Sequence, residues 1–110
     1  MARKTAPGLV VFVTSPTRRE ATRIGKTVVG ERLAACATLL GLVDSIYWWK
    51  GKVTRGREVL LVLKTTSARY GELEARITSL HSYEVPEIVA LPIGRGYPPY
   101  LKWLAEETCN

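Results

Sequence analysis

Apolar residues along the chain follow two periodicities, one typical of strands and one typical of helices. Four short runs rich in β-branched and aromatic residues predict β-strands, because such side chains suit a pleated, half-buried surface. The predicted strands cover residues 9–13, 36–49, 58–64 and 87–93, the second with a bend at Gly41. Ser15 and Pro16 end the first run and separate it from a helical pattern.

Three segments carry helical patterns. Thr17 and Glu20 have capping-box spacing, in which a hydroxyl and a carboxylate each satisfy an orphan amide at a helix start. The helix predicted there runs to about residue 33 and has Ala21, Ile24 and Val28 on its apolar face.

The second helical pattern is the clearest, with Tyr70, Leu73, Ile77 and Leu80 at i, i+3, i+7 and i+10. Pro98 and Pro99 open a short terminal helix through Leu101 and Leu104.

The order of these elements predicts the fold class. A β-α-β-β-α-β succession is the ferredoxin-like pattern, so we expect an α+β fold with both helices on one face of an antiparallel sheet and a C-terminal helix after it. One domain is expected to cover residues 1–110. The connection between the second and third strands is predicted to be a solvated hairpin tip, and its basic residues are Lys50, Lys52, Arg55 and Arg57.

The third predicted strand is apolar on both faces. Val59, Leu61 and Leu63 point one way, whereas Leu60 and Val62 point the other way. A sheet covered by helices on one face only should alternate apolar and polar residues. Burying an aliphatic side chain contributes roughly 1.5–3 kcal/mol, and a bare apolar face invites association. The pattern therefore predicts a homo-oligomer, in which another copy covers the second face.

Composition and charge exclude only a few functional classes. The chain has 110 residues, with 16 basic against 10 acidic residues for a net charge of +6, which permits contact with anions. No apolar run approaches the roughly 20 residues of a membrane span, and no apolar signal core follows Arg3 and Lys4, so a cytoplasmic location is expected. Cys36 and Cys109 form no disulfide framework and lack zinc-type spacing.

Several segments resemble one known family, the CutA divalent-ion-tolerance proteins. The matching segments are Glu31-Arg32-Leu33-Ala34-Ala35-Cys36-Ala37, Ser45-Ile46-Tyr47-Trp48-Trp49-Lys50-Gly51-Lys52, residues 58–66, and His81-Ser82-Tyr83-Glu84-Val85-Pro86-Glu87, followed by Pro92, Gly94, Tyr100 and Trp103-Leu104. The resemblance covers about positions 9 to 105. It implies a ferredoxin-like fold assembled as a tight homotrimer and a role in tolerance to divalent metals, notably copper.

The resemblance also implies where a site would lie. It places a set of polar and aromatic residues near clefts between subunits, namely Tyr47, Trp49, Glu58, Lys64, Tyr83 and Glu87 as a ligand-binding group and Cys36 and His81 as metal ligands. Thiolate, imidazole and carboxylate groups suit copper or zinc. One histidine and two cysteines are too few for a dedicated metal protein, so no cofactor is obligatory. Copper or another divalent cation is expected to bind with ligands from more than one subunit.

Each candidate residue also has a structural interpretation. His81 follows a predicted helix and could cap its end, and Cys36 could be a small buried apolar residue. Tyr47, Trp48 and Trp49 would then be packing residues at a subunit contact, as aromatic residues often are. Glu87 could satisfy backbone groups or pair with Lys64. A lysine between apolar residues of a strand is expected to meet a carboxylate or an anionic ligand.

The same sequence also bears on three other functional classes, namely enzymes, RNA-binding modules and small-molecule sensors. No catalytic elbow, phosphate loop or dinucleotide fingerprint occurs, so enzymatic activity is not expected. An RNA-recognition motif shares this order of elements but needs aromatic residues on its third strand, and residues 55–62 contain none, so no nucleic-acid partner is expected. A trimeric sensor of anionic small molecules, of the P-II type, remains an alternative.

Overall fold

The structure, a computed structural model, describes residues 7–109, and within that part the predicted order of strands and helices is present. The elements are β1 (Gly8–Ser15), α1 (Arg18–Gly30), β2 (Cys36–Trp49), β3 (Lys52–Thr66), α2 (Tyr70–Leu80), β4 (Ile88–Pro92) and α3 (Pro98–Glu107). All neighbouring strands are antiparallel, in the order β2-β3-β1-β4. The predicted α+β class and β-α-β-β-α-β order are confirmed.

Helices α1 and α2 cover one face of the sheet and form the core with it. The predicted apolar residues of α1, which are Ala21, Ile24 and Val28, are fully buried. The buried side chains that meet them from the other elements are Val11, Val13, Leu61, Leu63, Leu73 and Ile77. The helical spacing of apolar residues in α1 and α2 thus faces the alternate, inward residues of β1 and β3.

The opposite face of the sheet, here called the open face, is also apolar. Its members are Val10, Phe12, Leu40, Leu60, Val62, Val89 and Leu91, as the strand register shows. Leu60 and Val62 are half-buried, and Leu40, Val89 and Leu91 are exposed by about half. The prediction that β3 is apolar on both faces is confirmed, and α1 and α2 leave one of those faces to solvent in the single chain.

Three sequence predictions about local structure need correction. Helix α1 ends at Gly30 rather than near residue 33, because Arg32 takes a left-handed conformation with φ of 60°. β4 covers Ile88–Pro92 rather than residues 87–93. β3 begins at Lys52, six residues earlier than predicted, so the segment expected to be a solvated hairpin connection is paired with β2 along its length.

The extension of β2 and β3 makes a long two-stranded arm, defined here as residues 42–57. Only Lys50 and Gly51 separate the strands at its tip, with φ of 49° and 76°. Positive φ at both central residues is what a two-residue hairpin turn of type I′ requires. The arm carries exposed apolar side chains, including Ile46 and Trp48, which are 71% and 74% exposed. It also makes the molecule elongated, with extents of 55 × 25 × 21 Å.

Helix α3 lies over one end of the open face. The Tyr100 ring stands above Lys64, with 5.9 Å from Nζ to the ring centroid, and Lys64 shares the face of Leu60 and Val62. Leu104 is almost completely buried beneath the helix. The Arg32 guanidinium donates to the main-chain oxygen of Glu107 and so ties the end of α3 to the loop after α1. The tail helix therefore covers part of the face that α1 and α2 leave open.

Candidate functional site

Two polar groups lie at opposite ends of the open face. The acidic end consists of Glu58, Tyr83 and Tyr47, and the basic end consists of Lys64, Cys36 and Tyr100. Glu58 and Lys64 lie on the same side of β3, six residues apart, so about 20 Å of strand separates them. Residues that sequence reasoning assigned to one region thus form two separate groups, with Trp49 and Glu87 outside them.

The acidic end is organised around a carboxylate that is largely shielded from water. Glu58 is only 8% exposed, and its Oε2 accepts a hydrogen bond of 3.0 Å from the Tyr83 hydroxyl. Burial and this hydrogen bond to a carboxylate raise the pKa of Tyr83 to about 12. Tyr83 therefore remains a neutral hydrogen-bond donor to Glu58 throughout the physiological pH range.

Tyr47 reaches the same end from the arm. A Cβ atom at residue 56 would lie 3.1 Å from the Tyr47 hydroxyl oxygen, so Gly56 leaves the room that this ring occupies. The two residues lie on neighbouring strands and on the same face, since Ser45 pairs with Gly56 and Tyr47 with Thr54. The ring is 41% exposed, so its second side is free to contact a ligand or another chain.

His81 supports the acidic end from beneath. It is the C-cap of α2, and its side chain has no exposed surface. Nε2 lies 2.7 Å from the Thr14 carbonyl oxygen, and Nδ1 accepts the main-chain N–H of Tyr83 at 3.0 Å. A hydrogen on Nε2 satisfies both contacts. The geometry therefore assigns His81 the structural role of holding Tyr83, and a metal could bind it only after one of these hydrogen bonds is lost.

Glu20 joins the same network, which sequence reasoning missed. The Thr17 hydroxyl accepts the N–H of Glu20, so Thr17 is the N-cap as predicted. The carboxylate, however, does not complete a capping box: it accepts from the Ser15 hydroxyl and from the Ser82 N–H, both at 3.2 Å, and lies 3.4 Å from Nδ1 of His81. The capping-box spacing between Thr17 and Glu20 suggested a local role for Glu20. The prediction therefore missed its contact with Ser82, which lies 62 residues away.

These contacts determine the charge state of Glu20. Burial opposes its ionisation, but the hydrogen bonds from Ser82 and Ser15 outweigh burial, so the pKa of Glu20 is lowered. The carboxylate is therefore ionised near neutral pH and fixes the start of the loop that carries Tyr83.

The basic end brings together residues from β2, β3 and α3. Cys36 pairs with Lys64 in the sheet register, and its Sγ lies 3.7 Å from the Tyr100 hydroxyl. Burial and the contact with Cys36 raise the pKa of Tyr100, and Lys64 partly opposes this effect. Sequence reasoning did not include Tyr100 in the site, because no local pattern relates α3 to a strand 64 residues earlier.

The remaining predicted residues lie away from these groups. Trp49 is at the arm tip, 60% exposed, with Lys50 Nζ 5.8 Å from its ring centroid. Glu87 is exposed just before β4. Within residues 7–109 no ion pair joins Glu87 to Lys64, and no carboxylate lies within 4 Å of the Lys64 ammonium. The carboxylate partner expected for Lys64 is therefore not found among the described residues of the same chain.

The two predicted metal ligands do not meet within one chain. His81 contacts the carbonyl of Thr14, whereas Cys36 lies beside Lys64, the partner of Val10. Four residues of β1 separate these positions, which corresponds to about 13 Å along the strand direction, and β3 lies between β1 and the strand that carries Cys36. Over the described part of the chain, no group of three or more His, Cys, Asp or Glu side chains is arranged to hold a metal ion. Metal chelation by one chain therefore has no preformed centre in residues 7–109.

Comparisons with known proteins give one consistent family. The model of the family described as CutA1 divalent ion tolerance protein matches residues 9–107. The divalent-cation tolerance protein CutA of Thermus thermophilus is 48% identical over 99 residues, which is 90% of this chain and 96% of that protein. A solved structure of the divalent cation tolerance protein Cut A1 from Thermus thermophilus superposes with a TM-score of 0.91, at 46% identity, and covers 93% of this chain and 99% of that one.

More distant relatives extend the comparison. The chloroplastic protein CutA 1 of rice, Oryza sativa, is 39% identical over 104 residues, or 94% of this chain; the chain spans only 59% of that relative's length. The solved structure described as a periplasmic divalent cation tolerance protein CutA, from Archaeoglobus fulgidus, superposes with a TM-score of 0.89 at 34% identity and covers 92% of this chain and 98% of that one. These relatives share the fold and carry descriptions that name different compartments.

Proposed function

This chain belongs to the CutA1 divalent ion tolerance protein family, and from that premise we propose that it is a cytoplasmic homotrimer that responds to divalent metal ions. Copper or another divalent cation binds weakly in a cleft between subunits, with Cys36 as the accessible ligand. No cofactor is obligatory, and the protein performs its role by binding rather than by catalysis. It acts without nucleic acid or membrane as a partner.

The observation that carries this proposal is the apolar open face. Leu60 and Val62 lie at its centre, with exposed apolar residues from β2 and β4 on either side. An exposed apolar surface of this extent is typical of an interface between protein chains. Copies of the chain covering one another's open faces would bury these side chains, and closed point-group symmetry is the usual outcome.

Weak rather than tight metal binding follows from the state of the candidate ligands. Both ring nitrogens of His81 are hydrogen-bonded, so coordination there would cost one of these bonds. Cys36 is half-buried beside the Tyr100 hydroxyl, so its thiol can be reached from the open face. A soft cation bound by the Cys36 thiolate would need its further ligands from the covering copy.

Location is the part of the proposal on which the relatives differ. The rice relative is described as chloroplastic and the Archaeoglobus structure as periplasmic. Within residues 7–109, no helix is long and apolar enough to cross a membrane. The cytoplasm remains the location that we propose for this chain.

Calorimetric titration of the purified protein with Cu²⁺, Zn²⁺ and Mg²⁺ tests the metal role. Cys36→Ser should abolish saturable binding of the soft cations, and Cys109→Ser is the matched control, because Cys109 is exposed near the C-terminus. We expect Cys109→Ser to bind as the wild type does. Equal binding by all three proteins would remove Cys36 from the site, and the absence of binding by the wild type would refute a direct metal role.

One observation favours a second candidate function, that of a trimeric sensor of anionic small molecules. Lys64 lies beside the Tyr100 ring, with no carboxylate of residues 7–109 within ion-pairing distance. A lysine in such surroundings can accept an anionic ligand. Titration with nucleotides and dicarboxylates would show saturable binding that Lys64→Met abolishes and Cys36→Ser leaves intact. Binding of metal alone would eliminate this alternative.

A further inference from the structure

The open face carries one acidic and one basic side chain that cannot reach each other. Glu58 and Lys64 are on the same side of the continuous strand β3, and Leu60 and Val62 lie between them. Since six residues separate them, about 20 Å of strand lies between the two charged groups. Their separation excludes an ion pair within the chain, but it leaves both charges directed at whatever covers this face.

Of the two charged side chains, Glu58 is the one with the stronger requirement for an oppositely charged partner. It is 8% exposed, and the Tyr83 hydroxyl donates to only one of its oxygens, Oε2. Within residues 7–109 no Lys, Arg or His nitrogen lies within 4 Å of this carboxylate. Covering the open face would exclude the remaining water from Glu58, and a buried carboxylate without a cation is strongly unfavourable.

Lys64 has the complementary requirement. It is half-buried between β2 and α3, with the Tyr100 ring 5.9 Å from Nζ. The described chain gives it a phenol and the thiol of Cys36, but no carboxylate within 4 Å. A covering surface that carried a carboxylate would provide the missing charge.

We propose that Glu58 of one copy pairs with Lys64 of the next copy across the covered open face. The proposal rests on the assembly described under the proposed function and adds to it the contact that sets the relative orientation of neighbouring copies. The second copy has both required charges, on a surface of the required apolar character. The acidic end of each copy thus meets the basic end of its neighbour.

This polarity has a consequence for the candidate site. Pairing places Tyr83 and Tyr47 of one copy beside Cys36 and Tyr100 of the next, so the two groups that are separate in one chain form one composite site. In a trimer such a head-to-tail contact is heterologous, and heterologous contacts close into rings when the rotation allows it. Three copies would then have three equivalent pairs and three equivalent clefts.

Charge reversal tests the pair directly. Sedimentation and dilution experiments on the full chain measure the concentration at which the assembly dissociates. Glu58→Lys alone and Lys64→Glu alone should each raise this concentration at least about tenfold, because each places like charges together. The double variant Glu58→Lys with Lys64→Glu restores opposite charges and should return to within about twofold of the wild type.

Matched controls separate the pair from a general effect of charge. Lys26→Glu on α1 and Glu74→Lys on α2 make the same charge changes at exposed positions on helices of the opposite face. Both should dissociate within about twofold of the wild type. A tenfold change in these controls would overturn the assignment to a specific pair.

Glu58→Lys could fail to fold, because the position is largely buried, so a neutral cycle provides an independent test. Glu58→Gln and Lys64→Met remove one charge each while keeping similar volume. If the residues pair, the effect of the double variant differs from the product of the single effects by at least about fivefold. Effects that multiply within about twofold would overturn the proposal.

The experiment also distinguishes this pair from the assembly itself. A wild-type protein that is monomeric at micromolar concentration refutes the trimer and the pair together. A wild-type trimer whose double reversal is not rescued, and whose neutral cycle shows no coupling, refutes the pair alone and leaves the trimer standing.

Discussion

The two faces of β3 contain similar residues in contrasting surroundings. Val59, Leu61 and Leu63 are completely buried, whereas Leu60 and Val62 on the open face remain partly in solvent. Burial of an aliphatic side chain contributes about as much on either face, so composition alone does not predict which face is filled within one chain. The difference shows that a single chain fully buries the apolar side chains on only one of the two faces of β3.

The largest effect is expected on the covered face. Leu61→Lys places a charge among Ile24, Val28 and other buried residues of the core, where no carboxylate can pair with it. An uncompensated buried charge costs several kcal/mol, which is comparable to the whole stability of a small domain. We expect an unfolded or aggregated protein by circular dichroism. A cooperative unfolding transition at the wild-type midpoint would show that the helices do not seal this face.

A lysine at the preceding residue should affect the assembly rather than the fold of the chain. Leu60→Lys points into the open face, so the chain should keep its secondary structure while the assembly dissociates to a folded or partly folded monomer. We expect at least about a tenfold rise in the dissociation concentration, since charged side chains are disfavoured in interface cores. Light scattering measures the particle mass. A trimer that persists unchanged would place the seam on another surface.

An intermediate effect is expected from Tyr83→Phe, which removes the hydrogen bond to Glu58 at the acidic end. The loss should be about 1 kcal/mol near neutral pH. Since the pKa of Tyr83 is raised to about 12 when folded, against about 10 when unfolded, its contribution is fully present below pH 10. The contribution is lost as pH rises through about 12.

The measurement is urea unfolding of the wild type and Tyr83→Phe at several alkaline pH values. The difference in free energy of unfolding should shrink above pH about 10. Tyr97→Phe is the matched control, because Tyr97 is 74% exposed. A difference that stays constant up to pH about 12 would contradict the proton-linked role of the Tyr83 hydroxyl.

The smallest effect is expected from Glu20→Gln, at the contact between α1 and the loop after α2. Gln keeps an acceptor for the Ser15 hydroxyl and the Ser82 N–H, so only the charge is lost, and we expect less than about 1 kcal/mol. The pKa of Glu20 is lowered in the folded chain, so the wild-type advantage is present above the ordinary carboxyl pKa of about 4.3. It disappears as pH falls through the folded value. The measurement is thermal unfolding of the wild type and Glu20→Gln at pH 7 and pH 3. A difference in stability between the two proteins that is the same at both pH values would contradict this prediction.

Sequence patterns predicted the fold well because its strongest signals are local. The spacing of Leu73 and Ile77 fixes the buried face of α2, and the proximity of Thr17 to the apolar face of α1 fixes where α1 begins. The early start of β3 escaped detection because its first six residues, 52–57, are mostly polar or basic and show no apolar alternation. Pairing with β2 outweighs their weak strand propensity.

The candidate site was predictable only in part, for a different reason. The resemblance to a family drew attention to Glu58 and Tyr83, which are in contact. It did not reveal that Cys36 and His81 are offset by about 13 Å along the strand direction, since that offset depends on strand register. Tyr100 was missed because its contact with Cys36 depends on where α3 folds back, and no pattern within either segment specifies that position.

The two-residue turn at Lys50 and Gly51 restricts how the arm can vary in length. Lengthening the hairpin by one residue on each strand would keep the pairing but move every side chain beyond the insertion to the other surface. Adding two residues to each strand preserves the facing of Tyr47 and Trp49 and extends the reach by about 7 Å. Homologous arms of different length should therefore differ by multiples of four residues when their turns are alike.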